Sequence, residues 1–144
     1  MKKCSDVMTR DLVTCTPEDS IVEAARKMKN EDIGPVLIVD NDQSRTLVGI
    51  LTDRDIVVKV IADGQDVNAT RVGDVMSKKL VTCRADDDVD IAMKAMAQFQ
   101  LRRIPVVEEN MKLVGIIAQA DVATRMDAPE KTAEVVKEIS EENT

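Results

Sequence analysis

Along the chain, short apolar runs alternate with longer stretches in which apolar residues return every three or four positions. The first runs are "LVT" (Leu12–Thr14), "VLIV" (Val36–Val39) and "LVGIL" (Leu47–Leu51). Continuous apolar runs this short, rich in β-branched residues, predict buried strands. Between the first two, Ile21, Ala24, Ala25 and Met28 recur at helical spacing and predict the buried face of a helix. Ser20-x-x-Glu23 at its start reads as a capping box. The turn "DNDQSR" between the second and third runs predicts a hairpin. A second helix follows from about Thr52 to Ala62, with Ile56, Val57, Val60 and Ile61 on one face and Gly64 as its stop.

The whole order then recurs. Asp6–Val39 aligns with Asp74–Val107 without a gap, and Asp6, Val7, Met8, Leu12, Val13, Thr14, Cys15, Asp19, Ala24, Met28 and Val39 are matched by identical residues. After a shorter turn, "LVGILTDRDIV" faces "LVGIIAQADVA". The second copy therefore predicts strands at Leu80–Thr82 and Ile104–Val107. Its helix buries Val89, Ala92, Met93 and Met96, a methionine stripe that reads as core. A unit of roughly 60 residues buries too little surface to be secure alone. The expectation is an α/β (α+β) fold of tandem repeats, each strand–helix–strand–strand–helix, packed on each other about a pseudo-twofold axis. The divisions are residues 1–66, 67–126 and a tail, 127–144. In the tail, "APEKTAEVVKEIS" reads as an amphipathic helix with Val135, Val136 and Ile139 on one side.

Composition narrows the function. The net charge is −7 over 144 residues and Phe99 is the sole aromatic residue, which argues against nucleic-acid binding and against docking on an anionic membrane. No apolar stretch approaches the ~18 residues of a membrane span, and "MKKCSDVMTRD" lacks the apolar centre of a secretory signal, so a cytoplasmic protein is expected. Histidine is absent, which removes the commonest general base and metal ligand. No Gly-x-x-x-x-Gly-Lys loop or Gly-x-Ser-x-Gly elbow appears. No catalytic residue and no metal ligand is therefore expected. Cys4, Cys15 and Cys83 form no C-x-x-C pair and read as reduced, buried thiols. Cys15 and Cys83 occupy equivalent positions, and a bridge between them is the redox alternative.

The densest chemistry lies in "GILTDRDIVVKV" (Gly49–Val60). Thr52-x-x-Asp55 is a capping box by pattern: the Thr52 hydroxyl accepts from the Asp55 N–H, and the Asp55 carboxylate accepts from the Thr52 N–H. Asp53 and Asp55 also suit the positive end of the helix dipole. The same geometry suits a ligand, because a helix start offers backbone N–H groups and a carboxylate accepts the two hydrogen bonds of a sugar diol.

Strand–helix–strand–strand–helix, twice, with G-h-h-[ST]-x-x-D-h at the last junction (h being apolar), resembles the cystathionine-β-synthase (CBS) domain pair. "DVMT", "IGPVLIVD", "LVGILTDRDIV", "DVMS", "RRIPVVEE" and "LVGIIAQADV" carry the resemblance, which runs from Lys3 to about Met126. It implies a regulatory, non-catalytic module that binds AMP, ADP, ATP or a related adenosyl compound in clefts between the repeats, forms a homodimer and is read by a protein partner. It assigns a ribose to Asp55, helped by Thr52, with adenine held between apolar strand edges. One cleft would place Thr52, Arg54 and Asp55 opposite Thr82, Arg84, Arg102 and Arg103. Paired guanidiniums match phosphate oxygens bidentately, although ion pairs with Glu108 and Glu109 would also account for them. The other cleft would combine Asp121 with Thr16, Pro17, Gly34 and Pro35. Here Ala118 replaces the hydroxyl residue and Gly34-Pro35 brings no charge, so one good site per chain is expected. The competing expectation is a dimerisation module without a ligand, in which Thr52-x-x-Asp55 is only a cap.

Overall fold

The structure, a computed structural model, describes residues 2–125. The expected tail helix with Val135, Val136 and Ile139 lies outside the described residues. Two compact units emerge among the described residues, one formed by Val13–Leu80 and the other by residues 2–12 together with residues 81–125.

The Val13–Leu80 unit is built on a three-stranded sheet in the order β1-β2-β3. β1 (Thr14–Cys15) runs parallel to β2 (Pro35–Val39), and β2 pairs antiparallel with β3 (Leu47–Thr52). A parallel neighbour needs a crossover, supplied by α2 (Ile21–Glu31). Ser20 caps α2 by accepting the Glu23 N–H at 3.1 Å, and Asp32 ends it in the left-handed region at φ 53°. Only half of the expected box forms there, because the Glu23 carboxylate takes the Ser20 hydroxyl at 3.3 Å. Ile21, Ala24 and Met28 are buried as expected, but Ala25 is exposed. A helix covered on one side buries a stripe, and Ala25 lies beyond its edge.

The expected strands Leu12–Thr14 and Leu80–Thr82 both begin later, at Thr14 and Cys83. Pairing with the central strand sets these bounds: Thr14 and Cys15 face Leu37 and Ile38, and Cys83 and Arg84 face Val106 and Val107. The expected helix after β3 is also different in kind. One α-helical turn, α3 (Asp53–Asp55), runs into a π-helix, Ile56–Ile61, closed by Ala62 N–H donating to the Val57 carbonyl at 2.8 Å. The wider turn changes which residues share a face. Val60 is buried and Ile56 half-buried, while Val57 and Ile61 are each 58% exposed. Gly64 follows at φ 70°, where a glycine is suited.

The second unit repeats the plan. β4 (Cys83–Arg84) lies parallel to β5 (Arg103–Glu108), which pairs antiparallel with β6 (Lys112–Ala118). α5 (Val89–Gln98) buries Val89, Ala92, Met93 and Met96, and α6 (Gln119–Arg125) follows β6. The methionine stripe is core.

Each sheet is completed by a "DVM" segment from the other sequence copy. α1 (Cys4–Val7) leads to Thr9, which exchanges two backbone hydrogen bonds with Ile116, at 2.8 and 3.0 Å. α4 (Val72–Val75) leads to Ser77, which makes the same pair with Ile50. Met8 then lies over Gly115, and Met76 over Gly49. A Cβ on Gly49 would come within 2.6 Å of Met76 Sδ, and one on Gly115 within 2.8 Å of Met8 Cγ. The glycine of each "LVGI" is there to admit this side chain.

Overpacking of this kind costs about 1–3 kcal/mol. Gly115→Ala is therefore expected to lower the unfolding free energy measured in urea by that amount, and the loss should shrink in a Met8→Ala background. An unchanged midpoint would show that the glycine serves no packing role.

Candidate functional site

In both units the start of a helix is tied to the start of the central strand. The Asp53 N–H donates to the Gly34 carbonyl at 3.1 Å, and the Gln119 N–H donates to the Arg102 carbonyl at 3.1 Å. Gly34 immediately precedes β2 and Arg102 immediately precedes β5. The register adds Pro35 opposite Thr52 and Arg103 opposite Ala118. One corner thus gathers Gly34 and Pro35 with Thr52, Arg54 and Asp55. The other gathers Arg102 and Arg103 with Ala118 and Asp121.

At the first corner the expected capping box is complete. The Asp55 N–H donates to Thr52 Oγ1 at 3.1 Å, and the Thr52 N–H donates to Asp55 Oδ2 at 3.0 Å. Lys59 Nζ lies 3.3 Å from Asp55 Oδ1, and Asp55 is 18% exposed. Lys59 also donates to the Val75 carbonyl at 3.1 Å, tying the carboxylate to the segment that completes this sheet. A carboxylate has about four lone-pair sites. Two are committed here, which orients the group and leaves acceptor capacity for a diol. Arg54 is exposed, and its N–H accepts no ligand role in the backbone because it donates to Asp53 Oδ1 at 2.9 Å. A Cβ at position 34 would make ordinary contact with Asp53 Oδ1 at 3.5 Å, so the corner has room for a small side chain there.

The second corner differs in three ways. Ala118 cannot cap, so the box is half formed: its N–H donates to Asp121 Oδ2 at 3.2 Å. The hydroxyl beside Asp121 comes instead from Thr9, which donates to the same oxygen at 3.3 Å. Arg102 and Arg103 are exposed, and among the described residues neither forms an ion pair. Glu108 and Glu109 are not their partners, because Glu108 ends β5 and Glu109 follows it, at the opposite end from Arg103. Finally, the side-chain nitrogen of Gln119 is buried without a hydrogen-bond partner among the described residues.

Arg84 is not brought to this corner. It faces Val107, at the other end of β5 from Arg103, about 13 Å away at ordinary strand rise. Its guanidinium approaches Asp86 at 3.9 Å. It lines a concavity of about 440 Å³ with Ala85, Asp86, Glu108, Glu109 and Lys112. Thr82 is half-buried just before β4. Thr16 and Pro17 follow β1. The Thr16 N–H donates to Asp19 Oδ2 at 3.0 Å, and the Pro17 carbonyl accepts the Gly73 N–H at 2.9 Å.

Lys59 and Gln119 were not foreseen from the sequence. Lys59 lies one helical turn beyond Asp55, a spacing at which such pairs form. Gln119 occupies the place of Asp53 in the second copy, and nothing local marks it. Among the described residues no helix is long and apolar enough to cross a membrane, and no three Cys, Asp or Glu side chains are grouped to hold a metal ion.

Two three-stranded α+β repeats with matched strand-to-helix corners define a tandem-repeat module. The CBS domain profile matches residues 4–62 and 72–128, and the chain belongs to the CBS domain family. The protein YlbB of Bacillus subtilis is 42% identical over 141 residues, spanning 98% of this chain and 93% of its own. Hypoxic Response Protein I, crystallised with two coordinated zinc ions, has a TM-score of 0.76 at 33% identity and covers 88% of this chain and 100% of its own. The CBS domain pair of protein MJ0100, crystallised with 5′-methylthioadenosine and S-adenosyl-L-methionine, has a TM-score of 0.69 at 27% identity and covers 86% of this chain and 94% of its own.

Proposed function

We propose that the protein is a regulatory module that binds an adenine nucleotide, AMP, ADP, ATP or a related adenosyl ligand. Asp55 and Thr52 take the ribose, and Arg102 and Arg103 take the phosphate. The observation that carries this reading is the pair of exposed guanidiniums, unpaired among the described residues, at a corner built like the one that orients Asp55. The unpaired Gln119 amide offers a third donor at the same corner. The adenosyl ligands of MJ0100 support the class of compound. Thr82 and Arg54 are proposed as lesser contributors. Arg84, at the far end of β5, is a phosphate contact only for a ligand long enough to reach it. Asp121, together with Thr16, Pro17, Gly34 and Pro35, is assigned to a second, weaker site in this reading.

Thermal unfolding with AMP, ADP, ATP, NAD and S-adenosylmethionine tests the reading. At ~100 times its dissociation constant a ligand adds about 2.7 kcal/mol of stability. Hydrogen bonds to a charged group contribute about 1.5–3 kcal/mol. Asp55→Asn should therefore weaken the stabilising ligand at least tenfold while the ligand-free melting temperature changes little. No stabilisation by any of the five at millimolar concentration would leave Thr52-x-x-Asp55 as a cap alone.

A second copy of the chain is the proposed protein contact. Val57 and Ile61 on the π-helix are 58% exposed and Val58 45%, while Ile91 on α5 and Phe99 at its C-terminal cap are 50% and 51% exposed. Apolar side chains exposed together mark an interaction surface. In α2, Glu23 and Glu31 stand where Ile91 and Phe99 stand in α5 and its cap, so the apolar outer face is particular to the second copy. Sedimentation should show a homodimer that Ile61→Lys dissociates. A monomeric wild type, or an Ile61→Lys dimer of unchanged strength, would exclude the π-helix as the contact.

A further inference from the structure

Cys4, on α1, and Cys83, on β4, are packed into one buried cluster of the same unit. The two residues are 0% and 3% exposed and share an apolar cluster with Val7, Val89 and Ala92. Backbone hydrogen bonds hold both sides in place. The Cys4 N–H donates to the Asp87 carbonyl at 2.8 Å, the Ser5 N–H to Ala85 at 3.0 Å, and the Val89 N–H to Lys2 at 3.0 Å. The thiols also lie 3.8 Å from the carbonyl oxygens of Asp88 (Cys4) and Pro105 (Cys83). The internal repeat provides a built-in contrast. In the other unit Cys15 stands where Cys83 stands, but Val72 takes the place of Cys4. Cys83 therefore has a cysteine neighbour supplied by the completing segment.

We infer that Cys4 and Cys83 are a redox-active dithiol, a site for an intrachain disulfide that fastens the first residues of the chain to β4. The two thiols are not equivalent. The hydrogen bond from Cys83 draws the Cys4 thiol below its ordinary range, against burial and the nearby Asp86, Asp87 and Asp88. The hydrogen bond to Cys4, followed by burial, pushes Cys83 up. Cys4 is the attacking sulfur because it sits on the single-turn α1, whose opening exposes it first. Access to it requires local opening of α1, a single turn held by a few backbone bonds and the exposed Lys3–Asp88 ion pair at 3.0 Å. With glutathione disulfide as oxidant, the Cys4 thiolate attacks one of its sulfurs and expels one glutathione thiolate, giving a mixed disulfide. Cys83 then loses its proton to solvent and attacks Cys4 Sγ, expelling the second glutathione. The protein loses two electrons and two protons, and one glutathione disulfide becomes two glutathiones.

The test is incubation of the native wild-type protein with glutathione disulfide, alkylation with iodoacetamide and peptide mass mapping. The expected product is a Cys4–Cys83 linked peptide, lighter than the two thiol peptides by two hydrogens and reversed by dithiothreitol. Cys15, whose thiol burial pushes up to about 11, should remain a thiol that alkylates only after unfolding. Cys83→Ala should abolish the linked peptide. Free thiols at both Cys4 and Cys83 after prolonged incubation, a bridge that includes Cys15, or one that survives Cys83→Ala would each overturn the inference. The wild-type measurement stands even if the variant folds poorly.

Discussion

The fold depends on one repeated constraint, the backbone hydrogen bond that runs from the first residue of a helix to the carbonyl just before the central strand. Asp53 to Gly34 and Gln119 to Arg102 are the two instances. Each is worth only about 0.5–1.5 kcal/mol by itself. Its consequence is larger, because it fixes where a helix begins relative to the sheet. That in turn fixes the acidic residue two positions further on, whose carboxylate closes back on the strand end. Asp55 closes on Thr52 and Asp121 on Ala118. A ligand meeting such a corner finds side chains already oriented, which lowers the ordering cost of binding.

The two corners have diverged in what they carry. The first keeps hydroxyl, carboxylate and a lysine, and has no cation on the strand side. The second has lost the hydroxyl to Ala118, recovers one from Thr9, and gains two arginines on the strand side. The completing segments add a second layer of dependence. Lys59 joins Asp55 to the Val75 carbonyl, and Thr9 joins Asp121 to the segment that lies over Gly115. Any ligand that shifts a corner therefore also strains a "DVM" segment. The size of such a shift is limited by the difference in ligand affinity between the two arrangements.

Much of this was legible in the sequence because the signals are local. The duplicated order of elements, the buried stripe of α5 and the Thr52–Asp55 box all follow from spacing over a few residues. The failures involve partners distant along the chain. Strand pairing, not the apolar run, decided that β1 begins at Thr14. The register of β4 on β5 placed Arg84 away from Arg103. The π-helix split the expected face of Ile56, Val57, Val60 and Ile61, since a widened turn has no pattern of its own. The exchange of "DVM" segments, and with it the Cys4–Cys83 contact, was invisible because each segment is adjacent in sequence to one copy and completes the sheet of the other.

The proposal at the centre of the account is that Asp55 binds the sugar of an adenine nucleotide and Arg103 its phosphate. Calorimetric binding of AMP and adenosine to the wild type, Asp55→Asn and Arg103→Gln tests this most directly. The account predicts that Asp55→Asn weakens both ligands, whereas Arg103→Gln weakens AMP at least tenfold and leaves adenosine unchanged. Equal effects of Arg103→Gln on AMP and adenosine, or none on either, would contradict it.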